Sequence, residues 1–185
     1  MDNWFSDYID GILTLSPKEK ALLGHGISII ISDGLNLFFV LFISFLLKKL
    51  PIGLVYIISL SCLRCHSGGW HASTKLGCFV TYQSVFIIIC LLNECHFPLS
   101  LSVFVYFFSF MYLYFNSPVE HIYNPLTVAE RISNKKKARR SAIYLTIFFV
   151  FLVFANSRYS CVLSLVIFWN SICMEMLKHT KYWRI

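Results

Sequence analysis

A chain of 185 residues would suit one soluble domain, but 57% apolar, 17% aromatic and only 14% charged residues do not. With a mean hydropathy of +0.68, too little polar surface remains to cover a water-soluble globule, and the same richness excludes intrinsic disorder. The net charge of +7 does not point to nucleic acid, because the densest basic run, Lys135-Lys136-Lys137-Ala138-Arg139-Arg140, directly precedes an apolar stretch, where basic residues act as a topology signal or an anionic-lipid contact.

The chain opens without a basic n-region or a small-residue cleavage site, so no cleaved signal peptide is expected. Over residues 3–15, Trp4, Phe5, Tyr8, Ile9 and Ile12 recur at helical spacing with Asp2, Asp7 and Asp10 largely elsewhere. That pattern predicts a short amphipathic helix over 1–16, lying on a membrane surface. Ser16-Pro17-Lys18-Glu19 then restarts the chain: Ser16 as N-cap, Pro17 as the first helical residue, Glu19 closing a capping box.

Six apolar segments follow, at 27–47, 51–63, 76–92, 97–115, 142–155 and 159–174. At 1.5 Å per residue the first is about 31 Å long, enough for a hydrocarbon core of roughly 30 Å. The second is short and the fifth slightly short. The predicted fold is therefore all-α: a polytopic membrane helical bundle, one membrane-embedded domain over 1–185, with five or six spans.

Lys and Arg placement orients the spans. With six spans and the N-terminus inside, only Lys48, Lys49 and Arg158 of the sixteen Lys and Arg residues fall outside. Making segment two re-entrant exchanges Lys48 and Lys49 for Lys18 and Lys20 and leaves the same asymmetry. Charge does not decide between the two arrangements. Both place loop 64–75, the basic loop 116–141 and the C-terminus on the cytoplasmic side.

Seven cysteines (62, 65, 78, 90, 95, 161, 173) form an odd set. Most lie in apolar segments, where free cysteine acts as a small hydrophobe, and no secreted disulfide framework is apparent. The stretch Arg64-Cys65-His66-Ser67-Gly68-Gly69-Trp70-His71-Ala72-Ser73-Thr74-Lys75-Leu76-Gly77-Cys78 concentrates the chemistry. A cysteine and a histidine near a membrane interface suggest a thiol nucleophile with a general base.

On one continuous helix, residues seven apart lie about 10 Å apart along the axis, too far for a hydrogen bond. A working His71–Cys78 pair therefore needs a break between them. Ser73 or Thr74 is a plausible N-cap, leaving His71 in the loop and Cys78 in the early turns of the next helix. That helix N-terminus favours a thiolate and a developing oxyanion. Gly68-Gly69 lets the loop fold back.

The pattern Arg-x4-Gly-x-His-x6-Cys, present as Arg64, Gly69, His71 and Cys78 with Gly68 and Ala72, resembles the accessory gene regulator B family of bacterial membrane endopeptidases, which process quorum-sensing propeptides. The order of the amphipathic N-terminus, the hydrophobic segments, Ser117-Pro118-Val119-Glu120, Asn124-Pro125-Leu126 and Lys135-Lys136-Lys137 is also similar to that family. The resemblance covers most of the chain. It implies Cys78 as nucleophile and His71 as base, with Arg64, Gly68 and Gly69 supporting the site and Lys135, Lys136 and Lys137 affecting processing. It further implies a multi-pass protein of the bacterial cell membrane, a signalling propeptide as substrate, release of its C-terminal tail through a thioester, cyclisation to a thiolactone or lactone, a homodimer, and no cofactor.

Other readings stand beside these. Arg64 is either an inside topology charge or a holder of a substrate carbonyl or carboxylate. The lysine run either sets topology and contacts lipid, or recognises an acidic propeptide tail. Cys62, Cys65 and His66 supply ligand types for zinc or a membrane dithiol, although no second closely spaced ligand pair accompanies them. A non-enzymatic peptide exporter or adaptor is the alternative from another class. Asp33 and Asn36 lie inside segment one, where polar groups are costly and usually face protein. Glu120 or Asn124 would be candidates for a third member orienting His71, with no spacing argument for either.

Overall fold

The computed structural model describes residues 17–67, 74–95, 97–119, 127–155 and 158–182. The amphipathic helix expected over 1–16, with Ser16 as its junction, lies outside the described residues. Six helices and no strand occur among the described residues: α1 Pro17–Leu46, α2 Leu50–Ser67, α3 Lys75–Glu94, α4 Leu99–Asn116, α5 Val128–Phe154 and α6 Tyr159–Tyr182. All-helical architecture is as the sequence predicts. Three stretches are long and apolar enough to cross a membrane, Leu76–Glu94, Leu99–Asn116 and Tyr159–His179; Ile30–Leu46 and Leu50–Arg64 are apolar but shorter.

The chain divides into two units, Met1–Phe39 and Val40–Ile185. In the first, α1 begins at Pro17, whose missing N–H is harmless in a first helical turn. It runs unbroken through the polar 18–26 stretch into the apolar one. Ile30, Ile31 and Phe38 are exposed on it, and Phe38 and Phe39 meet edge to face at 5.6 Å.

The second unit opens with the end of α1, which closes in a Schellman turn. Lys49 N–H donates to Ser44 O (2.7 Å) and Lys48 N–H to Phe45 O (3.0 Å), with Lys48 in the left-handed region at φ 56°. The reversal brings Gly53 of α2 against Ser44.

Helix α6 is the hub of this unit and packs on α2, α3, α4 and α5. Its apolar window is 72% buried, against 39% for α3 and 22% for α4, which makes it the central helix. Its residues Ser160–Ile167 are all buried. On one side, Cys161, Val162, Leu165 and Val166 join Ile52, Tyr56 and Leu60 of α2 with Val85, Phe86 and Ile89 of α3. On the other, Leu163, Ile167 and Met174 join Tyr106 and Leu113 of α4 with Leu145 and Phe149 of α5.

Small residues let α4 and α6 approach closely, as expected where no water drives helices together. Ser102 Oγ donates to Ser164 Oγ (3.0 Å), and Ser171 Oγ donates to Ser109 O (3.2 Å). Tyr106 stacks on Phe149 at 3.8 Å, and its hydroxyl donates to Thr146 (3.0 Å). Meanwhile Phe104, Phe107, Phe108, Phe151 and Phe154 are exposed, as lipid-facing side chains would be.

Paired residues give the helix directions. Ser102–Ser164, Ser109–Ser171 and Asn116–Lys178 advance together, so α4 and α6 are parallel. Lys49 pairs with Glu94 (2.8 Å) and Tyr56 with Tyr82, so α2 and α3 are antiparallel. Tyr114 meets Arg139 while Tyr106 meets Thr146, so α4 and α5 are antiparallel. Val119 N–H donates to Ser67 O (2.9 Å), joining the exits of α2 and α4. The α2–α3 and α4–α5 connections therefore share one end of the bundle with the C-terminal end of α6.

One boundary differs from the sequence reading. Residues 128–141, expected within a polar loop 116–141, form the first turns of α5. Thr127 caps that helix, and Glu130 returns the bond to complete a capping box. Mean hydropathy drops before 142 without the helix ending there.

Candidate functional site

Cys78 is the fourth residue of α3, and Thr74 is the N-cap, one of the two residues expected. Thr74 Oγ1 accepts from Gly77 N–H (3.0 Å), and Cys78 N–H begins the intrahelical ladder by donating to Thr74 O (3.0 Å). The remaining N–H groups of a first helical turn have no intrahelical partner and carry the positive end of the helix dipole. The half-buried thiol of Cys78 thus sits one turn into the helix.

Three helices contribute to its surroundings. Arg64, half-buried in the last turn of α2, and Cys78 on α3 both lie within electrostatic reach of Cys173, which is buried on α6. The buried Tyr56 is within reach of Arg64 and Cys173. Its hydroxyl donates to Tyr82 O (3.1 Å) and ties α2 to α3 beside this group.

Ser67, the fully buried last residue of α2, closes the arrangement. Its carbonyl accepts from Val119, and its hydroxyl accepts from Asn170 Nδ2 (3.2 Å), itself wholly buried on α6. The segment 68–73 departs from Ser67 and rejoins the described chain at Thr74. His71, Gly68 and Gly69 lie in that segment, outside the described residues, as do Glu120 and Asn124.

Lys135, Lys136 and Lys137 are exposed on α5. Ala138 next to them is buried, and Arg139 lies 4.4 Å over the Tyr114 ring. The lysines thus project from a helix anchored at its next turn. Near the end of α4, Lys178 donates to Asn116 Oδ1 (2.7 Å) and to the Tyr112 hydroxyl (2.8 Å). Tyr112 and Lys178 both bond Glu175. Charged groups on an apolar helix are thereby satisfied by neighbours.

Cys62 is exposed and His66 half-buried, while the Cys65 side chain is not among those described. No group of three or more His, Cys, Asp and Glu able to hold a metal occurs among the described residues. Asp33 is exposed and Asn36 buried on α1. Sequence reasoning passed over Asn170, Ser67 and Cys173. For Asn170 a signal existed, since the cost of a polar group in an apolar span, which singles out Asp33 and Asn36, applies equally in segment six.

What the described residues assemble is a half-buried thiol at a helix N-terminus, a guanidinium from a second helix, and the two ends of the segment that carries a histidine. Compared with known proteins, residues 3–174 match the family Accessory gene regulator B. No curated protein and no solved structure matches the chain. Coverage of nearly the whole sequence, with the Arg64, Gly69, His71 and Cys78 pattern inside it, settles membership: the chain belongs to the accessory gene regulator B family, which takes part in the processing of quorum-sensing propeptides.

Proposed function

We propose that this protein is a multi-pass bacterial membrane cysteine endopeptidase that removes the C-terminal tail of a short amphipathic signalling propeptide and cyclises the remainder. The observation that carries this reading is the placement of Cys78 one turn into α3, with Thr74 as the cap, beside the segment bearing His71. His71 takes the Cys78 proton, and the thiolate attacks the scissile carbonyl. As the C–N bond breaks, the imidazolium returns the proton to the leaving amine and a thioester remains on Cys78. An internal thiol or hydroxyl of the substrate then attacks the thioester. The Cys78–acyl bond breaks, a thiolactone or lactone closes, and the displaced thiol is restored.

Thioester exchange changes bond energy little, so cyclisation competes with hydrolysis by holding the acyl group where the substrate nucleophile reaches it. Arg64 would hold substrate carbonyl or carboxylate oxygens, and Gly68 and Gly69 would let the backbone approach. Lys135, Lys136 and Lys137 would meet an acidic tail on the same side. The site faces the cytoplasm, and two copies of the chain form a homodimer.

Co-expression with the short amphipathic reading frame expected beside the gene, followed by mass spectrometry of the tail, tests the reading. Tail release is expected with the wild-type chain and should vanish with Cys78→Ala and with His71→Ala. Cys78→Ser, a poor oxygen nucleophile, should accumulate bound substrate. Tail release surviving both alanine substitutions would leave the protein as an exporter or adaptor, with the cleavage performed by something else.

A further inference from the structure

Helices α3 and α6 run antiparallel, since α3 starts at the end of the bundle where α6 finishes. They share a buried layer in which Val85, Phe86 and Ile89 of α3 join Cys161, Val162, Leu165 and Val166 of α6. Cys78 lies seven and eleven residues before Val85 and Ile89, and Cys173 lies seven and eleven residues after Val166 and Val162. Seven and eleven residues are close to two and three whole turns, so each cysteine stays on the face that carries this layer. Equal steps from one layer along antiparallel helices also bring the two to one level. Their surroundings agree with that register. Cys173 is within electrostatic reach of Cys78 and of Arg64, and the buried Tyr56 is within reach of both Arg64 and Cys173.

Packed helix axes lie about 8–10 Å apart and Cα atoms about 2.3 Å off each axis, so facing residues have Cα atoms about 3–5 Å apart at closest. A disulfide needs Cα atoms about 4.4–6.8 Å apart, which facing residues reach at the wider packing or slightly off the line of closest approach. The two thiols differ in access. Cys78 is half-buried, whereas Cys173 is 3% exposed. An oxidant arriving from water therefore meets Cys78 first, with a second thiol behind it that solvent does not reach. Cys90 and Cys161, also buried, belong to the opposite end of the shared layer.

We propose that Cys78 and Cys173 are a peroxide-responsive pair that closes a reversible disulfide between α3 and α6. The Cys78 thiolate attacks an oxygen of a hydroperoxide: an S–O bond forms, the O–O bond breaks, and water or an alcohol leaves. The Cys173 thiol then attacks the sulfenic sulfur of Cys78. The S–S bond forms, the S–O bond breaks, and the Cys173 proton leaves with the hydroxide as water. Two electrons pass from the thiols to the peroxide, and a dithiol returns them by thiol–disulfide exchange. The consequence for activity rests on the endopeptidase reading: bonded to Cys173, the Cys78 sulfur cannot attack a propeptide. The same bond keeps Cys78 from the irreversible sulfinic acid.

The test treats the full chain in detergent micelles with hydrogen peroxide, alkylates the remaining thiols with iodoacetamide and maps the peptides by mass spectrometry. Peptides are taken from the monomer band of a non-reducing gel, so that a bond between two chains is not counted. The wild-type chain should yield a pair joined through Cys78 and Cys173, with a loss of Cys78 alkylation that dithiothreitol restores. Cys173→Ser, which keeps the volume, and Cys173→Ala should both lose the joined pair. In these variants dimedone should trap Cys78 as the sulfenic acid, and longer exposure should carry it to a sulfinic acid that dithiothreitol does not restore. Tail release should fall with peroxide in every case and return with dithiothreitol only in the wild type.

Cys78 left unreacted, oxidised without a joined partner, or joined to Cys62 or Cys65 instead would each overturn the proposal. Undiminished recovery with dithiothreitol in both Cys173 variants would do so as well. If the Cys78–Cys173 bond forms and tail release persists, the pair stands and the endopeptidase reading of Cys78 falls.

Discussion

Gly53 faces Ser44 across the tight turn between α1 and α2, and the spacing leaves room for hydrogen alone. A Cβ at Gly53 would stand 2.5 Å from Ser44 Oγ and 2.7 Å from Ser44 Cβ. The Ser44 side chain has little freedom to yield, being fully buried with its hydroxyl donating to Leu41 O (2.8 Å). Gly53→Ala should therefore destabilise the hairpin by roughly 1–3 kcal/mol, the usual penalty of overpacking. Ser44→Gly in the same chain should recover most of the loss, measured by reversible unfolding in mixed detergent micelles. Full additivity of the two substitutions would show that the contact is not the cause. Nothing in the sequence marks this pair, because glycine has several uses and its neighbour is defined only once the turn forms. The site divides in the same way. Cys78, Arg64 and Thr74 are legible as reactive, charged and capping residues around a polar loop. Asn170 is legible only as a costly polar group in an apolar span; its pairing with Ser67, 103 positions away, is not.

Helix α5 shows where hydropathy and helix boundaries part. Segments three and four are legible to within a few residues, since both ends of α3 and α4 coincide with the ends of their apolar runs. The start of α5 is not, because a capping box in a polar stretch outweighs the change in hydropathy. Thr127 N–H and Oγ1 both donate to Glu130 Oε2 (2.9 and 2.7 Å), and Glu130 N–H donates to Thr127 Oγ1 (3.3 Å). The Thr127 hydroxyl first, and its N–H second, hold the Glu130 carboxyl below the usual glutamate range. A carboxyl depressed on folding stabilises the folded state above its unfolded value and loses that contribution as pH falls through the lower folded value. Amide exchange in residues 131–134 should consequently be slow at neutral pH and rise, once corrected for intrinsic rates, as pH falls below the usual glutamate range, while Glu130→Gln should flatten that dependence. Thr127→Ala should cost about 1 kcal/mol of cap stability, about fivefold in first-turn exchange. If the exchange of this turn stays unchanged in Thr127→Ala, the box does not hold the start of α5. The consequence for function is positional: Lys135, Lys136 and Lys137 ride on an ordered helix whose next turn is pinned through Ala138 and Arg139, not on a free loop.

At the scale of the whole molecule, helix direction and charge agree without sharing an assumption. Packing pairs place the α2–α3 and α4–α5 connections and the end of α6 together at one end. Lys and Arg counting assigns that same set to the cytoplasm whether five or six segments cross. Composition makes the grouping of these connections legible because Lys and Arg are few and unevenly spread. It leaves the span count open because the second segment is short in apolar residues, although α2 continues as a helix to Ser67. The two ends carry a built-in pair of reporters. Cys78 lies at the start of α3, half-buried, and Cys95 lies just beyond its other end, exposed. Seventeen residues of helix separate them by about 26 Å, close to the thickness of the hydrocarbon core. A membrane-impermeant maleimide should label Cys95 in intact cells and leave Cys78 untouched, and in inside-out vesicles the preference should reverse. Both topologies predict this result, so labelling of Cys78 from outside the cell would overturn the cytoplasmic placement of the site and carry the whole shared end of the bundle to the exterior. The expected pattern would instead require a propeptide to present its scissile bond at the cytoplasmic surface, where Lys135–Lys137 are also exposed. Charge reversal at those three lysines should then slow tail release without changing the alkylation profile of Cys78, which separates docking of the tail from chemistry at the thiol.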